Sequence, residues 1–423
     1  MAFDFSISPA LEEQRRRVAE FVVTEVVPLE QRVFRDGMTD ALRRDLQGRA
    51  KAAGVFAPQA PREHGGGGFR FDESAVLLEE AGYSLLGPLA LNCAAPDEGN
   101  IHLIHQTGTP EQHAAYLRPL VSGEVRSCFS MTEPPPGAGS DPSALRTTAR
   151  RVDGGWVLDG DKWLITGADG AAFSIVMARN TGDDAPEGAT MFLVDADNPG
   201  FVVGDHIDTI DATGVGGHCR VTIRDCFVPD DRVLGEPGRG FQSAQVRLAP
   251  ARLTHCMRWL GAARRAHDIA LERAVGRELF GSRLADLGMA QALIAENEID
   301  LDAARTVVRH AAWQIAEGSR SSEESSRAKV FVSEAVCRVV DRSVQLAGGM
   351  GTSEELVLGR IYRDIRSFRI YDGATEVHKM SIARRAAKRA AERLAARGEV
   401  LGHRAADGDG SGRDGSRSEG SGE

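Results

Sequence analysis

The sequence lacks the features that mark secreted, disulfide-bonded and membrane-spanning proteins. Its six cysteines include no C-x-x-C pair, which predicts free thiols in a reducing compartment and argues against a disulfide framework or a zinc site. The N-terminus has neither the basic region nor the apolar region of a signal peptide. No apolar run approaches the ~20 residues needed to cross a bilayer. We therefore expect a cytoplasmic protein that does not enter a membrane.

The sequence also has fewer basic than acidic residues. Lysine and arginine number 51 against 61 aspartate and glutamate, and the net charge of −10 gives no general attraction to nucleic acid or to an anionic membrane. The glycine run 65–68 is not followed by the Lys-Ser or Lys-Thr of a P-loop, so it predicts a flexible turn. His102 and His105 stand three apart, as two metal ligands on one helical face would, but no third ligand follows at a suitable spacing. No metal site is predicted.

The apolar pattern changes twice along the chain, and the changes predict three domains. At 423 residues the chain exceeds the ~250–300 residues at which one core usually stops growing. Apolar residues recur at helical spacing near both ends, whereas the middle alternates in short runs between turns, which is typical of a β-barrel or sandwich. The predicted fold is mainly α with a central β-domain: a helical N-terminal domain (1–127), a β-barrel or sandwich (128–240), a C-terminal four-helix bundle (241–400) and a disordered tail (401–423) with too few aliphatic side chains for a core.

Asp372 is the most informative single residue. It lies between Tyr371 and Gly373, just before a segment of helical period. Glycine allows the backbone to turn sharply and leaves the neighbouring carboxylate open to a ligand. That suits a base that removes a proton from a small molecule. An aspartate can also cap the following helix, and the segment alone leaves both interpretations open.

Several motifs, taken in chain order, resemble those of the acyl-CoA dehydrogenase family. Residues 128–141 (C-F-S-M-T-E-P-P-P-G-A-G-S-D) resemble the family's T-E-P-x-G-S-D, with residues added at the proline run 134–136. Residues 155–167 (G-W-V-L-D-G-D-K-W-L-I-T-G) resemble N-G-x-K-x-W-I-T-N-G. Residues 277–281 (R-E-L-F-G) and 345–351 (Q-L-A-G-G-M-G) resemble R-x-x-F-G and Q-x-x-G-G-x-G. The ordered set covers roughly residues 10–398.

The closing segment 369–384 completes the resemblance. It is similar to the family's Y-E-G-T region, with Asp372 at the place of the glutamate, Ala374 at that of the threonine and Glu376 at that of a glutamine. Together with the segment 95–100, this variant resembles a subgroup that uses aspartate as its base. The resemblance therefore implies that Asp372 is the catalytic residue.

The resemblance also implies FAD bound between the β-domain and the bundle. Thr132 and Thr166 would lie along the isoalloxazine edge, with Thr166 near N5; without the flanking motifs both would be ordinary strand threonines. The adenine half would be held from a neighbouring subunit of a homotetramer, a dimer of dimers. The implied cofactor-binding residues are Phe129, Met131, Thr132, Gly139, Ser140, Leu164, Thr166, Arg277, Phe280, Gln345, Gly348, Gly349, Ala374 and Glu376.

Substrate contacts follow from the same resemblance. Ser140, Arg252 and Gly373 would contact the acyl-CoA, and Glu133 would have a structural role. Ala251 occupies the place where some family members carry an alternative glutamate base, which leaves Asp372 as the candidate.

The implied reaction is α,β-desaturation of an acyl-CoA thioester. Asp372 would remove the α-proton while the β-hydride passes to flavin N5, and the Asp372 N–H and a ribityl hydroxyl would stabilise the enolate oxygen. An electron-transfer flavoprotein would receive the electrons. Three alternatives stay open: an acyl-CoA oxidase, a nitroalkane-oxidase-like enzyme that also uses aspartate as base, and a non-enzymatic CoA-binding member of the fold.

Overall fold

The computed structural model describes residues 6–211, 215–318 and 322–405, with side chains described as far as 397. The chain divides into a unit of residues 1–375 and a second unit from 376 onward, and each is considered by itself. No described helix is both long enough and apolar enough to cross a membrane.

Helices make up the N-terminal part of the first unit. The first of them shows why: Ser8 Oγ accepts a hydrogen bond from the Leu11 N–H at 3.2 Å, a proline follows at the first helical position, and Val18 and Phe21 are buried one turn apart. The helices are α1 (Pro9–Phe21), α2 (Glu30–Asp36), α3 (Asp40–Ala52), α4 (Phe71–Ala81), α5 (Gly87–Ala90), α6 (Asp97–Thr107), α7 (Pro110–Gln112) and α8 (Arg118–Val121).

A β-sheet follows. Its strands are β1 (Ser127–Ser130), β2 (Thr148–Val152), β3 (Gly155–Thr166), β4 (Phe173–Thr181), β5 (Ala189–Asp195), β6 (Phe201–His206), β7 (His218–Pro229) and β8 (Val233–Leu234). They are hydrogen-bonded in the order β6-β7-β3-β2-β4-β5-β8, and β1 joins β4 in parallel. Within the described residues no ladder connects β6 to β8, so the sheet is open.

Both faces of β4 are buried, which explains the long apolar run in its sequence. Ile175 and Met177 pack in a core shared with the N-terminal helices. Val176 and Ala178 point the other way, into a core that includes Trp156 of β3. Side chains alternate between the two faces of a strand, so β4 separates a helix-facing layer from an interior layer of the β-domain.

Long helices form the remainder of the first unit. They are α9 (Gly240–Gly276), α10 (Gly288–Ala316), α11 (Ser322–Ala347) and the shorter α12 (Leu358–Arg366), with a small hairpin of β9 (Glu278–Leu279) and β10 (Ser282–Arg283) after α9. α9, α10 and α11 pack side by side, and α4 packs on α9. At that contact a Cβ on Gly261 would collide with the Glu79 carbonyl oxygen, so glycine permits the close approach.

The observed order of helical, β and helical segments agrees with the prediction. β1 begins at Ser127 and α9 at Gly240, each one residue before the predicted domain boundary. The fourth long helix of the predicted bundle, α13 (Thr375–Ala405), belongs to the second unit except for its first residue. α13 continues five residues into the predicted disordered tail, and the rest of that tail lies outside the described residues.

Candidate active site

The backbone at Asp372 adopts a conformation that few residues tolerate. Asp372 has φ +53° and Gly373 has φ +96°, so two consecutive residues lie in the left-handed region that favours glycine and, less strongly, aspartate. α13 begins at Thr375, so Asp372 lies two positions before the N-cap position. The helix-capping interpretation is therefore not supported. The Asp372 side chain is 17% exposed, and the turn that carries it lies near the end of the first unit.

Two buried cations hold this turn by its carbonyl oxygens. Arg252 Nε of α9 donates to the Asp372 carbonyl oxygen at 2.9 Å, and Lys329 Nζ of α11 donates to that of Gly373 at 2.7 Å. Burial lowers the pKa of Lys329 to about 8. The Tyr371 hydroxyl is hydrogen-bonded to Trp259 Nε1. Helices α9 and α11 thus fix both neighbours of the carboxylate.

His255 is the group that faces the Asp372 carboxylate. Its Nε2 lies 3.4 Å from Asp372 Oδ2, and its ring lies 4.7 Å from that of Tyr371. Arg258 Nη2 lies 3.1 Å from His255 Nδ1. Because a guanidinium only donates, Nδ1 accepts and Nε2 carries the ring proton towards the carboxylate. Burial and the neighbouring cations hold the pKa of His255 well below its usual range, so the ring is neutral.

The sequence prediction missed His255, Arg258 and Lys329. One signal was available: on α9 Arg252, His255 and Trp259 are spaced three and four apart, which places them on one helical face. Polar side chains on a buried, alanine-rich helix need partners. Here the partners are the turn at Asp372 and the N-terminal part, through an Arg258 Nη1 hydrogen bond to the Cys93 carbonyl oxygen at 2.7 Å.

Arg247 connects α9 to the β-domain. Its Nε donates to Asn100 Oδ1 of α6 at 2.8 Å, and its guanidinium lies 4.2 Å from the centre of the Phe129 ring, a cation–π contact. Burial lowers the pKa of Arg247, and the negative charge of Asp372 opposes that shift. The predicted site residue Phe129 therefore belongs to the same electrostatic environment as Asp372.

The two threonines of the β-domain are held in different ways. Thr132 Oγ1 donates to the Trp163 carbonyl oxygen at 2.7 Å, which joins the loop after β1 to β3. Thr166 Oγ1 lies 3.0 Å from His218 Nδ1 of β7. Leu164, two residues before Thr166 on β3, has φ +53° and is 42% exposed. It lies at an irregularity in the pairing of β3 with β7.

A polar chain leads from Thr166 to the segment that carries Asp372. His218 Nε2 lies 3.5 Å from Asp211 Oδ1, and Ser367 Oγ donates to Asp211 Oδ2 at 3.0 Å. Burial would raise the pKa of Asp211, but hydrogen bonds from His218, Thr209 and Ser367 lower it to about 2. The structure therefore joins Thr166 in one polar network to Ser367, which lies 201 residues later in sequence and five residues before Asp372.

Glu133 of the T-E-P motif has the structural surroundings that its expected role requires. It accepts hydrogen bonds from the Arg146 N–H at 2.7 Å and from Thr147 Oγ1 at 2.6 Å. Buried Lys162 lies 2.9 Å from Glu133 Oε1. Although burial alone would raise the pKa of Glu133, Lys162 and Thr147 lower it to about 2. Its carboxylate thus joins the two ends of the loop 133–147 by hydrogen bonds. No described contact links it to Asp372.

Comparison with known proteins identifies the family. Models of its N-terminal, middle and C-terminal domains match residues 8–124, 128–226 and 238–387, which is most of the chain. The chain belongs to the acyl-CoA dehydrogenase family. The motif-based prediction of family and fold is thereby confirmed. The chain is an FAD-dependent acyl-CoA dehydrogenase, an oxidoreductase that acts on CH–CH bonds.

Several relatives match about nine-tenths of the chain. It is 36% identical to "Probable acyl-CoA dehydrogenase FadE2" of Mycobacterium tuberculosis, over 90% of this chain and 96% of that protein. It is 32% identical to (R)-benzylsuccinyl-CoA dehydrogenase of Thauera aromatica, over 90% and 96%. The butyryl-CoA dehydrogenase structure of Megasphaera elsdenii aligns with TM-score 0.81 and 28% identity, over 90% and 99%. By contrast, the chain spans only 37% of mouse acyl-CoA dehydrogenase family member 10, at 34% identity over 89% of this chain.

The residues on the β-domain side of this acyl-CoA dehydrogenase fit FAD. The threonine hydroxyls and the exposed Leu164 offer polar and apolar contacts to a ring system. At Gly139 a Cβ would meet no atom within 4 Å, and Ser140 beside it is exposed. Small residues with open backbone suit an anionic pyrophosphate. Met131 is half-buried next to Thr132.

The residues expected at the adenine half form a separate group. Arg277 directly follows α9, and Phe280 lies in the β9–β10 hairpin. Gln345 lies in the last turn of α11, and Gly348 and Gly349 directly follow that helix. Arg277 Nη1 lies 3.2 Å from where a Cβ on Gly348 would be, so the two motifs meet. Phe280 is 91% exposed, and Arg277, Gln345 and Gly349 are exposed too. No described contact joins this group to Asp372. Ala374 precedes α13, and Glu376 lies in its first turn.

Proposed function

We propose that Asp372 is the base that removes the α-proton of an acyl-CoA, and that an electron-transfer flavoprotein receives the electrons. The observation that carries the proposal is the placement of the Asp372 carboxylate. It is largely buried, its backbone is fixed by Arg252 and Lys329, and it faces the neutral ring of His255. Such fixed geometry is what general-base catalysis requires. FAD supplies the hydride acceptor when bound.

The alternative position for a base supports the same assignment. Ala251 is buried on α9 and has no group that can accept a proton. Arg252, next to it, donates to the Asp372 carbonyl oxygen, so in this chain we assign it to holding the turn as well as to the proposed contact with CoA. Gly373 and Ser140 stay proposed substrate contacts.

The shorter side chain of aspartate constrains the substrate. Asp lacks one methylene relative to Glu, so its carboxylate reaches about 1.5 Å less far, and a misplacement of ~1 Å can cost ~10²-fold in rate. The left-handed backbone at 372–373 supports compensation by the turn itself. We propose a substrate that is bulkier at or beyond the β-carbon than a straight-chain acyl group. Asp372→Glu should then retain some activity and change the preference for chain length or branching.

Asp372→Asn tests the base directly. An amide cannot take the proton, so the rate of anaerobic flavin reduction by acyl-CoA should fall by about 10²–10⁴-fold, the usual contribution of a positioned base. FAD content and acyl-CoA binding should be unchanged. Asp268→Asn is a matched control, because Asp268 is a carboxylate on α9 that accepts from the Tyr83 hydroxyl and should not affect the reduction rate. If Asp372→Asn reduces its flavin at a near wild-type rate, the base lies elsewhere.

The same reduced enzyme separates the alternatives. After reduction by an acyl-CoA, slow reoxidation by oxygen and fast reoxidation by an electron-transfer flavoprotein indicate a dehydrogenase. Fast reoxidation by oxygen indicates an acyl-CoA oxidase. Reduction by nitroethane in place of any acyl-CoA indicates a nitroalkane-oxidase-like enzyme, for which an aspartate base is also suited.

We further propose that the chain acts as a homotetramer, a dimer of dimers. The FAD of a neighbouring subunit would be served by Arg277, Phe280, Gln345, Gly348 and Gly349, which are exposed except for the half-buried Gly348. Exposure of these residues in a single chain supports this, since a neighbour would cover them.

A further inference from the structure

A cluster of metal-ligating side chains lies in the N-terminal part, outside the site described above. Glu63 and His64 belong to the turn Arg62–His64, and His105 lies in the last turn of α6. One potential ligand atom from each of the three residues lies within 4.8 Å of the others. His105 Nε2 is 3.9 Å from Glu63 Oε1. The fold therefore supplies His105 with the partners that the sequence spacing did not reveal, from about 40 residues upstream.

A third imidazole supports the two rings. The centre of the His113 ring lies 5.2 Å from that of His64 and 6.1 Å from that of His105. His113 Nε2 donates to the Ile104 carbonyl oxygen at 2.9 Å, which fixes its ring. The rings of His64 and His105 are in turn 5.7 Å apart, edge to face. Packing thus limits the positions that both ligand rings can take.

The ring nitrogens provide a second, independent observation. Nδ1 of His64 and Nδ1 of His105 are both buried, and neither has a hydrogen-bond partner among the described residues. Native proteins pair the great majority of buried polar atoms because an unpaired one is costly. Rings whose nitrogens are not tied to protein partners are free to choose the tautomer that offers a lone pair to a ligand.

The types of side chain suit a cation. Metal ligation requires neutral imidazole and ionised carboxylate. The Glu63 side chain is 63% exposed and can rotate towards the rings without breaking a buried contact.

We propose that Glu63, His64 and His105 form a binding site for Zn²⁺ or a similar borderline divalent cation. Two imidazole nitrogens and one carboxylate oxygen are ligands that zinc accepts in a tetrahedral site, with water in the fourth position. Bonds of about 2.0–2.2 Å place tetrahedral ligand atoms roughly 3.4 Å apart, so the 3.9 Å separation of His105 Nε2 and Glu63 Oε1 needs only a small closure. The ion would join the turn before the glycine run to the end of α6.

Calorimetry on the FAD-loaded full chain, treated with EDTA and then dialysed, tests the site. Titration with ZnCl₂ should give one ion per subunit. His105→Gln and Glu63→Gln should each weaken binding at this site by more than about 100-fold, since losing even an outer-shell partner typically costs 10–100-fold. The matched control is His310→Gln, an exposed histidine on α10, which should bind as wild type does. Equal binding by His105→Gln and wild type would overturn the proposal.

X-ray absorption at the zinc edge identifies the ligands independently of affinity. The expected shell contains nitrogen and oxygen at about 2.0–2.2 Å. Sulfur in the shell would place the ion on the cysteines and overturn the assignment. Zinc should also raise the melting temperature of wild type but not of Glu63→Gln, because a ligand that binds only the folded state stabilises it. Glu63 is exposed, so this variant should fold even if His105→Gln does not. Flavin reduction by acyl-CoA is a separate measurement, and its outcome does not bear on this site.

Discussion

The two groups of proposed cofactor and substrate residues differ in how much of their surroundings the single chain supplies. Around Asp372 the partners are buried and specific: Arg252, His255 and Lys329 come from two helices and fix the turn. Around Arg277 the residues are exposed, and Phe280 presents an almost fully exposed aromatic ring. Burial of an aromatic side chain away from water is favourable in free energy, so an exposed ring of this kind is suited to an interface.

The difference predicts that the proposed chemistry at Asp372 and the proposed assembly at Arg277 can be disrupted separately. The Asp372 side depends on intramolecular hydrogen bonds, so its disruption should change rates while the fold and FAD binding persist. The group around Arg277, proposed to contact the adenine half of FAD, has few intramolecular contacts to lose. Substitutions there should leave folding unchanged and affect only the binding of the subunit or cofactor that covers the group. Variants in each of the two groups test whether rate and assembly respond separately.

After loss of Asp372 itself, the largest effect on the buried side should come from His255. Replacement by phenylalanine keeps the ring packing against Tyr371 but removes the Nε2–H that faces the carboxylate. We expect anaerobic flavin reduction to slow by about 10–100-fold through misplacement of the carboxylate, with FAD content unchanged. His267→Asn is the control, since His267 is also a buried histidine on α9 but faces Glu298 at 3.0 Å. Equal slowing in both variants would mean that only helix packing was lost.

Phe280→Ser should have a smaller effect, and on assembly instead of chemistry. An exposed substitution normally changes folding stability by less than about 0.5 kcal/mol. If a neighbouring subunit covers the ring, losing it should weaken association by about tenfold or more and reduce FAD retention. Sedimentation and the flavin absorbance per subunit measure both. Val202→Ala, at an exposed apolar residue of β6, controls for surface hydrophobicity. A fully assembled, FAD-loaded Phe280→Ser tetramer would contradict an interface role.

Local pattern was enough to predict the fold because each part carries its own period. Leu11, Val18 and Phe21 repeat at helical spacing and are buried on one face of α1. The alternation in β7 brings Cys219, Val221 and Ile223 into one core. Both patterns depend only on neighbours in sequence, and the ordered motifs indicated the family.

The partners of the site could not be predicted in the same way, because they meet through tertiary packing. His255 reaches Asp372 from 117 positions away, and Asp211 joins His218 to Ser367. The contact between His64 and His105 was not predicted for the same reason, because the two residues are 41 positions apart and the spacing pattern indicates only ligands close in sequence. Asp372 became a candidate because its glycine neighbour allows a sharp turn, which is a local property, and the resemblance of the ordered motifs then favoured it as the base.

The last expected effect is a pH dependence of the free energy of unfolding, which Lys329 causes on the buried side. Its pKa is about 8 in the folded protein, below the ordinary value of 10.5. Between these two pH values the unfolded chain binds the proton and the folded chain does not. The free energy of unfolding should therefore rise from pH 8 to pH 10.5, by at most about 3 kcal/mol from this group. Lys329→Met removes the titration, so the urea midpoint of wild type relative to Lys329→Met should increase over this range. Lys379→Met, at an exposed lysine, should show no such trend relative to wild type. A wild-type-to-Lys329→Met difference that does not change with pH would mean that the Lys329 ammonium stays protonated on Gly373, and that burial does not weaken this cation.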